Sequence, residues 1–280
     1  MTPQLISPAI LDDNEKCLLY GVAGTGKTFA ALTAPEPILF LAIGGENEAK
    51  TYFSKQFQSK YGKKEIYVEA IKENIGARGK IIKATGFDLV CDALDTALEL
   101  DAKGEMQFNT LVIDNATMLS AMQAHKVIEI TSKGASADKD SAYEKFKKSG
   151  ILTLYDSDYK AIQSLMWQWV NWVFSLPKNV VFIAHEYIDT VPNRKTQSQD
   201  VVGVKPQFYG RHRTDIPNMF DNVWRFQRNG QEYEARTVSQ GKPYEIVAKT
   251  RVGGVLSANY SDVNLTQAFD RLQKQAKTVG

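Results

Sequence analysis

Residues 17–32, CLLYGVAGTGKTFAAL, constrain this chain more than any other stretch. Cys17, Leu18, Leu19 and Tyr20 form a short apolar run, Gly21 to Thr28 read GVAGTGKT, and a helix-forming segment comes next. Strand, glycine loop and helix in that order fit G-x-x-x-x-G-K-[ST], the P-loop pattern. A phosphate chain is gripped there by backbone N–H groups curled around it, so side chains at the turning points would block its approach. Gly21, Gly24 and Gly26 keep the loop open. The pattern predicts a nucleotide-binding set of Gly21, Val22, Ala23, Gly24, Thr25, Gly26, Lys27, Thr28 and Phe29. Within it Lys27 is expected to reach the β- and γ-phosphates of ATP, and Thr28 to offer its hydroxyl to Mg²⁺. The helix that begins there turns its positive end toward the anion.

The residues after the loop predict an α/β fold. Pro35 and Pro37 stop the helix near Ala34. Ile38 to Ala42 is then a continuous apolar run, as expected of a parallel strand covered on both faces. Strand, helix, strand makes a βαβ unit with a right-handed crossover. Residues 46–83 are polar and lysine-rich, with a short strand expected at 66–68. Phe87, Val90, Leu94, Ala97 and Leu98 recur at helical spacing over about 87–100. A second long helix is expected from Asp158, with Trp169 and Trp172 in the core and Trp167 outside.

Two further strand ends carry chemistry. Leu111, Val112 and Ile113 run into Asp114, the form of a Walker B element roughly 90 residues after the P-loop. An acid there can hold the ion that Thr28 also reaches, so Thr28 and Asp114 are the expected metal ligands. Val180 to Ala184 form a fourth apolar strand ending in His185 and Glu186. Open α/β sheets bind ligands on that rim, so His185 is either a γ-phosphate sensor or a histidine that bonds a loop.

The segment 187–218 reads as a long irregular insertion. It holds Arg194, Lys195, Lys205, Arg211 and Arg213 among Gly, Pro and the aromatics Phe208 and Tyr209. Cations interleaved with rings suit a single-stranded DNA track, the cations on phosphates and the rings on bases. Residues 131–157 read as a second mobile insertion, and 1–16 as a short N-terminal arm on one domain spanning 1–280. Strands over 222–227, 233–238 and 244–249 predict an antiparallel extension of the parallel sheet, and a helix containing Leu265, Ala268, Phe269 and Leu272 closes the chain.

Bulk composition narrows the setting. The formal net charge is +2 over 280 residues, so nucleic-acid binding would require a local patch rather than overall charge. Two cysteines, Cys17 and Cys91, have no partner at metal-ligand spacing, and a reduced cytoplasmic protein is expected. No apolar run approaches the roughly 20 residues of a membrane span, and no membrane partner is expected.

Taken together, GVAGTGKT (21–28), LVIDNATML (111–119), VVFIAHE (180–186), MFDNVWRF (219–226) and AKTRVGG (248–254) resemble the RecA core. More closely, they resemble phage nucleotide-binding proteins of the RecA-like single-strand annealing ATPase family. The resemblance implies a RecA-like sheet and ATP hydrolysis between adjacent copies in a ring or filament. It also implies single-stranded DNA as partner, in the cytoplasm of an infected bacterial host, and leaves open a single-strand DNA-binding protein as loading partner. Lys249 and Arg251 match the position from which a neighbour reaches the γ-phosphate. The family's water-polarising acid stands at the end of the second strand, where this chain reads Ala42, Ile43, Gly44, Gly45, Glu46, so Glu46 is the candidate and comes slightly late. Two other readings stay open: a nucleotide-switched structural or assembly ATPase of a phage that does not act on DNA, and a small-molecule P-loop kinase.

Overall fold

Apolar runs without alternation can be buried on both faces only inside a parallel sheet, and the chain places its runs there. The computed structural model describes residues 13–45, 48–76, 81–132, 144–145, 154–193, 198–209, 212–230 and 232–278. Its first half comprises β1 (Lys16–Gly21), α1 (Lys27–Ala31), β2 (Ile38–Ile43), a 3-10 helix (Glu48–Phe53), α2 (Lys55–Tyr61), β3 (Ile66–Ile71), the short β4 (Asn74–Ile75) and β5 (Ile81–Lys83), α3 (Gly86–Lys103), β6 (Thr110–Asp114) and α4 (Ala116–Ser132). The second half comprises α5 (Asp156–Phe174), β7 (Asn179–Ala184), β8 (Glu186–Pro192), β9 (Gln199–Pro206), α6 (His212–Met219), β10 (Asn222–Asn229), β11 (Glu232–Arg236), β12 (Glu245–Ile246), β13 (Lys249–Thr250), β14 (Asn259–Ser261) and α7 (Leu265–Thr278).

The main sheet runs β14-β11-β10-β1-β7-β6-β2-β3, with β13 laid against the start of β10. From β10 to β3 every pairing is parallel. Successive residues of the central strands enter opposite cores, as the strand period of two requires. Leu18, Tyr20, Leu41, Ile113 and Phe182 meet Phe87 and Leu94 of α3, Leu119 and Met122 of α4, and Met166 and Trp169 of α5. Cys17, Leu19, Phe40, Val112, Val181 and Trp224 meet Ala30 and Ala31 of α1 and Leu265, Ala268, Phe269 and Leu272 of α7. The sheet is therefore a three-layer sandwich with helices on both faces, and the expected α/β architecture holds.

Several expectations need correction. β10 belongs to the parallel core rather than to the antiparallel extension: Cys17, Leu18 and Leu19 register with Asn222, Val223 and Trp224, all buried. Only β11, β13 and β14 add antiparallel pairs. Residues 244–249 do not form one strand. Glu245 and Ile246 pair parallel with Gly203 and Val204 in a separate sheet of order β12-β9-β8, whereas Lys249 and Thr250 return to β10.

The described residues of 187–218 are not irregular: β8 and β9 pair antiparallel and α6 comes after them. Its β-branched residues, Ile188, Thr190, Val191, Val201, Val202 and Val204, favour extended pairing even among charges. Tyr20 pins the small sheet to the large one, its hydroxyl donating to the Val247 carbonyl at 2.6 Å. β3 is longer than expected and forms an edge of the main sheet. Trp172 is 37% exposed rather than buried. Of 131–157, α4 reaches Ser132 and α5 starts at Asp156, and most of the remainder lies outside the described residues, as does 1–12. Among the described residues no helix is long and apolar enough to cross a membrane.

Candidate nucleotide site

The parallel order decides which side chains share the rim. β7 lies between β1 and β6, so the P-loop and the end of the Walker B strand flank the residue just past β7. β1 ends at Gly21, opposite Phe226 of β10, and a Cβ on Gly21 would stand 2.3 Å from the Phe226 carbonyl oxygen. With φ at 152°, only glycine fits there. Gly26, at φ 87°, begins α1 beneath the Tyr233 ring, whose nearest atom would lie 3.1 Å from an added Cβ. Val22, Ala23 and Gly24 are exposed, and Thr25 closes the loop by donating from Oγ1 to the Val22 carbonyl at 2.8 Å.

Lys27 is buried within this loop, its Nζ donating to the carbonyls of Gly21 at 2.9 Å and Val22 at 2.8 Å. The ammonium is thus held over the place where phosphates would lie, and phosphate oxygens can replace the carbonyls as its acceptors. Thr28 Oγ1 donates to Asp114 Oδ2 at 2.7 Å, joining residues 86 positions apart. Oxygens bound side by side to an octahedral ion at about 2.1 Å stand about 3 Å apart, so this pair has the spacing of two magnesium ligands. Among the described residues there is no cluster of three or more His, Cys, Asp or Glu side chains fit to hold a metal. Magnesium needs none, because it binds through one or two carboxylates together with waters and phosphate oxygens.

His185 lies between these groups. Burial and the Lys27 charge lower its pKa, so the neutral ring is favoured at pH 7. Its backbone N–H donates to Thr117 Oγ1 at 3.0 Å, and that hydroxyl donates to the Gln207 carbonyl at 2.9 Å. Gln207 closes the loop with its N–H on the His185 carbonyl at 2.8 Å. Thr117 therefore ties the rim to the outgoing end of the β8–β9 hairpin. Glu186 accepts from Arg225 Nε at 3.1 Å, and both side chains are largely buried. Neither Thr117 nor Arg225 stands out in the sequence. Thr117 comes three residues after Asp114, but only the fold reveals the strand end it bonds.

A cleft of about 320 Å³ runs along Gly24 to Phe29 and is bounded by Thr51, Gln56 and Tyr233. It adjoins a second, of about 390 Å³, that reaches Asp262, and the two share Gly26, Phe29, Gln56 and Tyr233. Phe29 is fixed edge-on against Phe57, 5.2 Å between centroids, so it lines both clefts as a wall rather than a contact free to swing.

A model of the AAA domain family matches residues 13–252. The chain belongs to the AAA domain family. It carries a nucleotide-binding P-loop domain of ATPase type, and the family implies use of a nucleotide and usually Mg²⁺. A solved structure described as a prototypical ATPase from the type III secretion system of pathogenic bacteria is similar to it at 12% identity and a TM-score of 0.45. That likeness covers 85% of this chain and 58% of the other, so this chain spans little more than half of its length. No curated protein matches.

The remaining expected residues are scattered over this AAA domain. Lys249 and Arg251 sit at the far end of the sheet from the P-loop: β13 pairs with Asn222 and Val223, which face the start of β1. Four strand positions separate that end from Gly21, roughly 13 Å before any loop or phosphate is added. Their backbone therefore lies at the opposite end of the strands from their own P-loop. Lys249 Nζ donates to the Asn218 carbonyl at 2.9 Å, and burial and the adjacent Arg251 charge lower its pKa. Arg251 is 66% exposed and pairs with Asp221 at 2.7 Å.

Of the DNA candidates, Lys205 and Arg213 lie among the described residues, and each already has partners. Lys205 is held by Asp189 at 3.0 Å and Glu245 at 3.8 Å inside the small sheet. Phe208 is a core residue and cannot stack on a base. Arg213 lies 3.5 Å over the Tyr187 ring and donates from Nε to the Phe208 carbonyl at 3.1 Å. Arg194, Lys195, Arg211 and Glu46 lie outside the described residues.

Proposed function

We propose that this AAA domain binds and hydrolyses Mg-ATP at a site completed by a second copy of the chain, and that single-stranded DNA stimulates the turnover. The observation that carries the reading is the Thr28–Asp114 hydrogen bond at the head of a P-loop whose lysine is already buried over the loop. Exposed Arg251 at the opposite end of the sheet supports assembly, because a ring or filament that stacks one rim on the next copy's far end would bring Arg251 and Lys249 to the γ-phosphate. Charge delivered in trans couples turnover to assembly. From the resemblance to RecA-like annealing ATPases, the process served is strand annealing in phage recombination, with a single-strand DNA-binding protein as a loading partner.

Steady-state phosphate release with and without an oligonucleotide across a salt series is the test. The expected result is an oligonucleotide-dependent rise in rate whose apparent affinity falls steeply with salt, as phosphate contacts require. Arg251→Ala should abolish the rate while leaving ATP affinity intact. The capture of Lys205 by Asp189 and Glu245 favours a second reading, a nucleotide-switched assembly ATPase of a phage for which DNA is irrelevant. A rate that depends on protein concentration but not on oligonucleotide would decide for it.

A further inference from the structure

Where α5 meets α6, away from the P-loop rim, a cavity of about 600 Å³ opens to solvent. Two phenol rings line it: Tyr159, 45% exposed on α5, and Tyr209, half-buried just after β9. Lys160 and Arg213 stand beside them, with Asp156 on the lining and Asp215 behind Gln163 as the neighbouring carboxylates among the described residues. His212 lies 2% exposed in the wall; neither ring nitrogen is satisfied by a full hydrogen bond among the described residues, although the Ile162 carbonyl is close enough to act on the ring. A buried ring with unmet polar atoms costs the fold stability, and a bound polar group would relieve that cost. Gln163 is turned by donating its amide N–H to Asp215 Oδ2 at 2.8 Å, so its side-chain oxygen is oriented as an acceptor.

We propose that this cavity binds a nucleotide unit, with the base between Tyr159 and Tyr209, its polar edge toward His212 and Gln163, and its phosphate on Lys160 and Arg213. Aromatic faces with flanking cations recognise a base and its phosphate without demanding sequence. The unit can come from a single-stranded nucleic acid or from a free nucleotide. Arg213 also connects the cavity to the ATP rim, because it holds the Phe208 carbonyl and the next residue back, Gln207, bonds Thr117 and His185. The site rests on the DNA-stimulated reading only for its strand arm.

The test uses fluorescein-labelled dT20 and unlabelled dTMP as probes with the full chain. The double variant Tyr159→Ala/Lys160→Ala changes two exposed side chains, and Lys103→Ala removes one exposed charge elsewhere as control. Loss of one stacked base weakens dT20 binding by at least about fivefold in the double variant and not in the control. Basal ATPase without DNA stays unchanged in both. If dTMP displaces dT20 at equal nucleotide concentration the source is free nucleotide, and if it does not the source is a strand. Equal dT20 affinity in wild type and double variant, or no binding of either probe by wild type, overturns the site. Unstimulated ATPase despite dT20 binding that the double variant loses contradicts the DNA-stimulated reading and leaves the site standing.

Discussion

Lys27→Ala should lower ATP hydrolysis by at least about 10²–10³-fold, the scale seen when one preorganised donor to a transition state is removed. The structure gives the reason. The Lys27 ammonium is buried, and it is anchored by two loop carbonyls that fix its position before any phosphate arrives. Alanine leaves the glycine loop intact but without the charge that balances the β- and γ-phosphates. Lys27→Arg should rescue little, because a planar guanidinium cannot occupy a space shaped for a compact ammonium. Phosphate release measured beside a circular-dichroism melt separates the two causes of loss. Hydrolysis should fall by that factor while the melting temperature moves by only a few degrees; a variant that retains a tenth of the wild-type rate would contradict this role for Lys27.

The largest effect on stability should come from Trp224→Ala. Trp224 sits in β10 at 0% exposure, in the core shared with α1 and α7, and stands edge-on to Tyr260 at 6.5 Å. Its Nε1 donates to Thr250 Oγ1 at 3.0 Å, which helps tie β13 to β10. Truncating a buried tryptophan costs about 3–5 kcal/mol, a large share of the roughly 5–15 kcal/mol that holds a domain folded. The Thr250 hydroxyl still donates to the Thr237 carbonyl at 3.1 Å, so the lost volume, not an orphaned polar group, dominates. Urea denaturation followed by circular dichroism should show a shift of that size, with Trp224→Phe recovering most of it. A shift below about 1 kcal/mol would mean that β10 is not a core strand.

How much of the molecule is legible in its sequence depends on the range of the interaction. The P-loop is encoded in eight consecutive residues, and the apolar strands at 38–42, 111–113 and 180–184 announce their own burial, so the rim that holds Lys27, Thr28, Asp114 and His185 is legible. Direction is not. Hydrophobic period says that Val223 and Trp224 are buried but not whether their strand runs with or against β1, and for that reason the sequence alone puts β10 in the wrong group. Pairing between distant segments is equally hidden. Glu245 and Ile246 carry no signal that Gly203 and Val204 are their neighbours. The charge on Lys205 looks available in the sequence because Asp189 and Glu245, which hold it, come from two other strands. Tyr233, which roofs Gly26, lies far beyond the motif and reaches it only through the β10–β11 hairpin.

Titration of the purified chain with a fluorescent ATP analogue, with and without magnesium, tests the central claim most directly. Saturable binding that tightens with magnesium is expected, and Asp114→Ala should erase at least about tenfold of that magnesium-dependent gain by removing the carboxylate that shares the ion with Thr28. Absence of binding, or an affinity indifferent to both magnesium and Asp114, would contradict the assignment of Thr28 and Asp114 as the ends of one metal-nucleotide site.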